Sequence, residues 1–98
     1  MQEPKELTIE TLTVLKRDGR AVKFDTKKIE RAIKRAAISV NSELTDEDQH
    51  AIDDVVEAVL TEISSRFKEN VKIYEIQSIV EHELMERQQL DWAKAYIN

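Results

Sequence analysis

Cysteine is absent from this chain of 98 residues, which removes disulfides, thiolate zinc sites and thiol catalysis together. Glycine and proline occur once each. One glycine cannot build a GxGxxG or GxxxxGK[ST] phosphate loop, and so few turn formers speak against disorder. Imidazole is limited to His50 and His82, far apart, the latter flanked by Glu81 and Glu83. Neither supplies the convergent set that a metal centre or an acid–base pair requires. No apolar run approaches the roughly 20 residues of a membrane span, and Met1-Gln2-Glu3-Pro4 lacks the character of a signal peptide. A cytoplasmic domain with no membrane partner and no catalytic site is the expectation.

What is present suits one small domain: 41% hydrophobic residues are enough for a single core, and 36% charged residues suit long helices. The net charge of −5 conceals an asymmetry. Residues 14–36 carry nine basic side chains against Asp18, Asp25 and Glu30, so this stretch holds +6 and the rest −11. A positive patch on an acidic body favours a small, localised anion over a long polyanion, and disfavours nucleic acid. The same pattern also describes a solvated helix face, or a ligand-free helical interaction module whose basic patch docks an acidic partner.

Residues 1–11 are polar and read as a flexible leader, with the domain proper over 12–98. Two β-prone runs, Leu12 to Arg17 and Arg20 to Phe24, flank Asp18-Gly19 and predict a β-hairpin. With a two-residue loop, Arg17 and Arg20 would face each other across it. Ile29, Ala32, Ile33, Ala36, Ala37 and Val40 form one apolar stripe, predicting a helix over about 26–40. Ile52 to Phe67 marks a second helix over about 46–68, with Thr45 as N-cap and Asp46, Glu47 and Asp48 matched to the helix dipole. Asn70 to Ile73 suits a third strand. Ile76, Ile79, Val80 and Leu84 predict a helix over about 74–87, and Asp91 is read as the cap of a last helix within which the chain stops. The predicted class is α+β, helices with a small sheet laid over them.

The first helix starts with the wrong charge. Asp25 or Thr26 is a sound N-cap, but Lys27 and Lys28 then occupy the first turn, where cations cost about 0.3–1 kcal/mol each. A bound phosphate would turn this into a favourable arrangement, with Lys16 and Arg17 as further donors nearby. Val14, Phe24 and Ile29 suit an apolar slot beside that cationic mouth, as a nucleotide base needs. Asp25 suits an exocyclic amine such as adenine N6 and would reject guanine O6. As core residues under a hairpin, the three apolar side chains need no ligand at all.

Four segments in this order resemble the ATP-cone domain, the N-terminal allosteric domain of many ribonucleotide reductases. They are Val14 to Arg20; Phe24-Asp25-x-x-Lys28-Ile29; Ile73 to Met85; and Trp92 to Ile97. The later segments look most like the anaerobic class. The resemblance implies a four-helix bundle capped by a three-stranded sheet. It implies binding of ATP as activator and dATP as inhibitor of a ribonucleotide reductase, whose other domains or subunits are the partners. By position it assigns Lys16, Arg17 and Lys28 to the phosphates, Val14, Phe24 and Ile29 to the base, and Asp25 to adenine. Ile73, Ile76 and Gln77 match a further edge of the site; Gln77 stands where some members carry a His. Mg2+ is admitted with the nucleotide, with no protein metal ligands. The family tends to supply a basic residue just past position 98, which implies an excised domain. A related transcriptional regulator carries a zinc ribbon, which a chain without cysteine cannot form.

Overall fold

The computed structural model describes residues 11–97. The leader expected over 1–11 therefore lies outside the described residues except for Thr11. Seven elements follow in order: β1 (Thr13–Leu15), β2 (Ala21–Lys23), α1 (Thr26–Asn41), α2 (Asp46–Arg66), β3 (Asn70–Lys72), α3 (Ile73–Glu86) and α4 (Leu90–Ile97). This is the predicted α+β arrangement of four helices and a three-stranded sheet.

β1 pairs antiparallel with β2, Val14 opposite Val22, and its Leu15 opposite Ala21. Lys16 N–H then donates to the Arg20 carbonyl at 2.8 Å, and Gly19 N–H to the Lys16 carbonyl at 3.0 Å. The loop is thus three residues, Arg17 to Gly19, and not two. Gly19 takes φ 89°, the left-handed position that such a loop reserves for glycine. The extra residue corrects the expected arginine pair. Arg20 lies opposite Lys16, Arg20 Nε meets Asp18 Oδ2 at 2.7 Å, and Arg17 is turned elsewhere.

β3 adds to the other edge of β1 in parallel, Val14 opposite Val71, giving the order β2-β1-β3. Val22, Val14 and Val71 therefore form one row across the sheet. Val14 and Val71 are buried and Val22 half-buried. That row, with Leu12 and Phe24, joins Ile33, Ile52, Val59, Ile63, Val80, Leu84 and Trp92 in one hydrophobic core.

The helix boundaries follow from local chemistry. Asp25 Oδ1 accepts from Lys27 N–H at 3.0 Å and caps α1. Thr45 and Asp48 complete a capping box at α2, whose first turn holds Asp46, Glu47 and Asp48. Glu75 Oε1 accepts from Lys72 N–H at 3.1 Å at the start of α3. Between α1 and α2 the chain reverses at Ser42, φ 66° and ψ −57°, in a strained γ-turn closed by Glu43 N–H to the Asn41 carbonyl at 2.7 Å. α3 ends with Gln88 at φ 61°, its N–H bonded to the Met85 carbonyl and that of Gln89 to the Leu84 carbonyl, a Schellman arrangement.

Two details differ from expectation. α4 begins at Leu90, so Asp91 sits in its first turn and does not cap it. The Schellman turn delivers the chain into helical geometry two residues earlier. Val40, expected on the apolar stripe, is 39% exposed in the last turn of α1, above a shallow cleft with Gln88 to Trp92.

Candidate functional site

α1 is the spine of the site. Lys28, Ala32, Arg35, Ala36 and Ser39 recur at helical spacing, and all five line one cavity of about 540 Å3. The hairpin supplies one wall through Val14, Lys16, Val22, Lys23, Phe24 and Asp25; Ile73, Ile76 and Gln77 of α3 supply another. Ala95 and Tyr96 of α4 complete it. The volume falls within the range of small-molecule sites.

The floor and the mouth differ in chemistry. Val14, Phe24, Ile29 and Ile76 are almost wholly withdrawn from water and form an apolar base. Above them stand four cations, Lys16, Lys23, Lys28 and Arg35, against one carboxylate, Asp25. None of the four cations has an ion-pair partner among the described residues. Crowding unpaired positive charge beside a helix N-terminus is unfavourable unless an anion joins it. α1 has no acidic residue in its first turn.

Nine of the ten residues singled out from the sequence line this cavity: Val14, Lys16, Phe24, Asp25, Lys28, Ile29, Ile73, Ile76 and Gln77. Arg17 does not. Its Nη2 donates to Gln77 Oε1 at 2.7 Å, which holds it at the rim.

Two backbone N–H groups in this first turn are already engaged. Lys27 N–H binds Asp25 Oδ1 at 3.0 Å, and Lys28 N–H binds the Asp25 carbonyl at 3.1 Å. Attraction for an anion at this turn therefore rests on the lysine side chains and the helix dipole. Asp25 Oδ2 has no hydrogen-bond partner among the described residues, so the carboxylate can cap the helix and still accept from a ligand.

Sequence reasoning missed Val22, Lys23, Ala32, Arg35, Ala36, Ser39, Ala95 and Tyr96. The α1 members were legible, since they continue the helical spacing from Lys28. Tyr96 was not, because nothing local tells which face of α4 meets the hairpin side. Burial pushes the Tyr96 phenol above its ordinary pKa, and the nearby Glu81 carboxylate adds to this. The phenol is thus neutral, and its hydroxyl is a hydrogen-bond donor. Ser39 Oγ donates to the Ala36 carbonyl at 2.8 Å, leaving its lone pairs free to accept.

Among the described residues no group of three or more His, Asp or Glu is arranged to hold a metal ion, and no helix is long and apolar enough to cross a membrane.

An anaerobic ribonucleoside-triphosphate reductase of Haemophilus influenzae is 37% identical over 84 residues, which cover 86% of this chain and 11% of the reductase. The chain thus spans about a ninth of that relative's length. The family model described as the ATP cone domain matches residues 12–98. With its hairpin, helices and cavity all inside the matched stretch, the chain belongs to the ATP cone domain family.

Proposed function

We propose that this chain is the nucleotide-sensing regulatory domain of a ribonucleotide reductase, of the anaerobic triphosphate-reducing class. In this reading residues 12–98 are the domain, and it binds ATP as activator and dATP as inhibitor while catalysis lies elsewhere in the parent. The observation that carries the reading is the cavity itself: an apolar floor beneath four cations without ion-pair partners among the described residues, on a chain of the ATP cone family. Val14, Phe24 and Ile29 take the adenine, and Asp25 Oδ2 accepts its N6 amine. Lys16, Lys28 and Arg17 take the phosphates, whose charge offsets the crowding of cations at the mouth. Ile73, Ile76 and Gln77 close the α3 side. Mg2+ would enter with the nucleotide and offset part of the triphosphate charge, with no ligand from the described side chains.

ATP and dATP differ by one ribose hydroxyl, so sorting between them needs polar groups at the sugar. Ser39 and Tyr96 are polar residues of the cavity wall suited to that. Each effector then shifts the parent's association only by its differential affinity for the two states.

Titration calorimetry with ATP, dATP and GTP tests the reading. Both adenine nucleotides should bind and GTP should bind much more weakly. No adenine-nucleotide binding at millimolar concentration, to this chain or to its parent, would overturn it. The regulatory part is tested on the parent reductase, whose response to dATP should vanish when the domain is deleted.

A further inference from the structure

The hairpin tip carries two arginines, and the fold treats them differently. Arg20 Nε meets Asp18 Oδ2 at 2.7 Å, so its charge is matched within the loop. Arg17 has no ion-pair partner among the described residues. It crosses 60 positions of sequence to donate from Nη2 to Gln77 Oε1 on α3, at 2.7 Å. A guanidinium has five donors and no acceptor, so only the oxygen of the Gln77 amide can face it. The anchor is neutral. It fixes the guanidinium without cancelling its charge, which a glutamate in its place would do. One donor is spent, and four remain for an anion. Gln77 and Lys16, the neighbour of Arg17, both line the cavity, so the anchored group stands at its mouth.

We propose that Gln77 is a positioning residue for the phosphate tail, acting through Arg17. The inference rests on the nucleotide reading above. An untethered arginine surrenders much rotamer freedom when it grips a phosphate, and that loss weakens binding. Holding it against α3 beforehand moves the loss into folding. The short, charge-assisted bond is compatible with phosphate contact at the same time, because the two use different N–H groups.

A double-mutant cycle by ATP titration tests this, with melting temperatures recorded for every variant. Gln77→Leu should weaken ATP binding about 3–10-fold with an unchanged melting temperature, and should lose its effect in the Arg17→Ala background. Gln77→Glu keeps an acceptor but neutralises the guanidinium, and should weaken ATP at least as much as leucine does. ATP binding to Gln77→Leu as tight as the unaltered chain's, or tighter, would make the contact a bystander or a latch and overturn the proposal. A leucine effect that persists undiminished without Arg17 would overturn it too, since Gln77 would then act directly. If Gln77→Leu melts lower, Gln77→Glu decides: unchanged affinity there is equally fatal. Failure of the unaltered chain to bind ATP at all would instead remove the nucleotide reading beneath it.

Discussion

Asn41 Oδ1 accepts the indole N–H of Trp92 at 3.4 Å, across 51 positions of sequence. The same side chain donates from Nδ2 to Asp48 Oδ2 at 3.1 Å. One amide at the end of α1 thus touches the first turns of both α2 and α4. Because α4 carries Tyr96 into the cavity wall, this distant contact bears on the shape of the site.

Asn41→Ala removes both partners and should cost about 1–2 kcal/mol. In a domain of this size that lowers Tm by roughly 4–8 °C per kcal/mol. Thermal unfolding followed by circular dichroism checks it; an unchanged Tm would show that buried Trp92 and Ala93 hold α4 unaided.

Lys28→Ala should separate binding from stability. Losing a charged contact to phosphate should weaken ATP about 10–100-fold. The free protein should melt no lower, and gain up to about 1 kcal/mol, because a cation leaves the positive end of the α1 dipole. Calorimetry and thermal melts on one preparation decide; equal loss of affinity and stability would assign Lys28 a structural role.

Asp25→Asn should change which base is accepted. Asparagine caps a helix about as well as aspartate, so α1 should remain intact with Oδ1 on Lys27 N–H. The free end then becomes an amide donor, matched to guanine O6 and mismatched to adenine N6. The ATP-over-GTP preference should fall by about tenfold or more in parallel titrations. An unaltered ratio would place the base away from Asp25.

Stability should fall in acid through Asp48. Its carboxylate is held below the ordinary aspartate pKa by the Thr45 backbone N–H first and the Asn41 amide next. Asp18 is lowered likewise by the Arg20 backbone N–H and then its side chain. A native value below the unfolded one means stability present above the ordinary aspartate range. It is lost as pH falls through the lowered native value. Urea midpoints between about pH 5 and pH 2 should drop less steeply for Asp48→Asn than for the unaltered chain. Parallel curves would place the acid sensitivity elsewhere.

The hairpin, all four helices and nine of the 17 residues that line the cavity are legible in the sequence. Where the structure differs from expectation, the decisive contact is remote or the loop chemistry admits two answers. Asp18-Gly19 suits a two-residue turn as well as the three-residue loop found, and only the pairing of Lys16 with Arg20 separates them. Arg17 was expected on the ligand alone; its bond to Gln77 depends on α3 lying beside the hairpin tip.

Sequence by itself determined what interactions within one helical turn or one hairpin decide. The Asp25 and Thr45 caps, the apolar stripe of α1 and the cations crowded at its start lie within a few residues of their partners. Tertiary structure alone decided that β3 joins β1 in parallel, that Arg17 meets Gln77, and that Tyr96 faces the cavity. Those contacts join distant segments, and each forms only after the shared core has made good the entropy of closing a long loop. No local pattern records that balance.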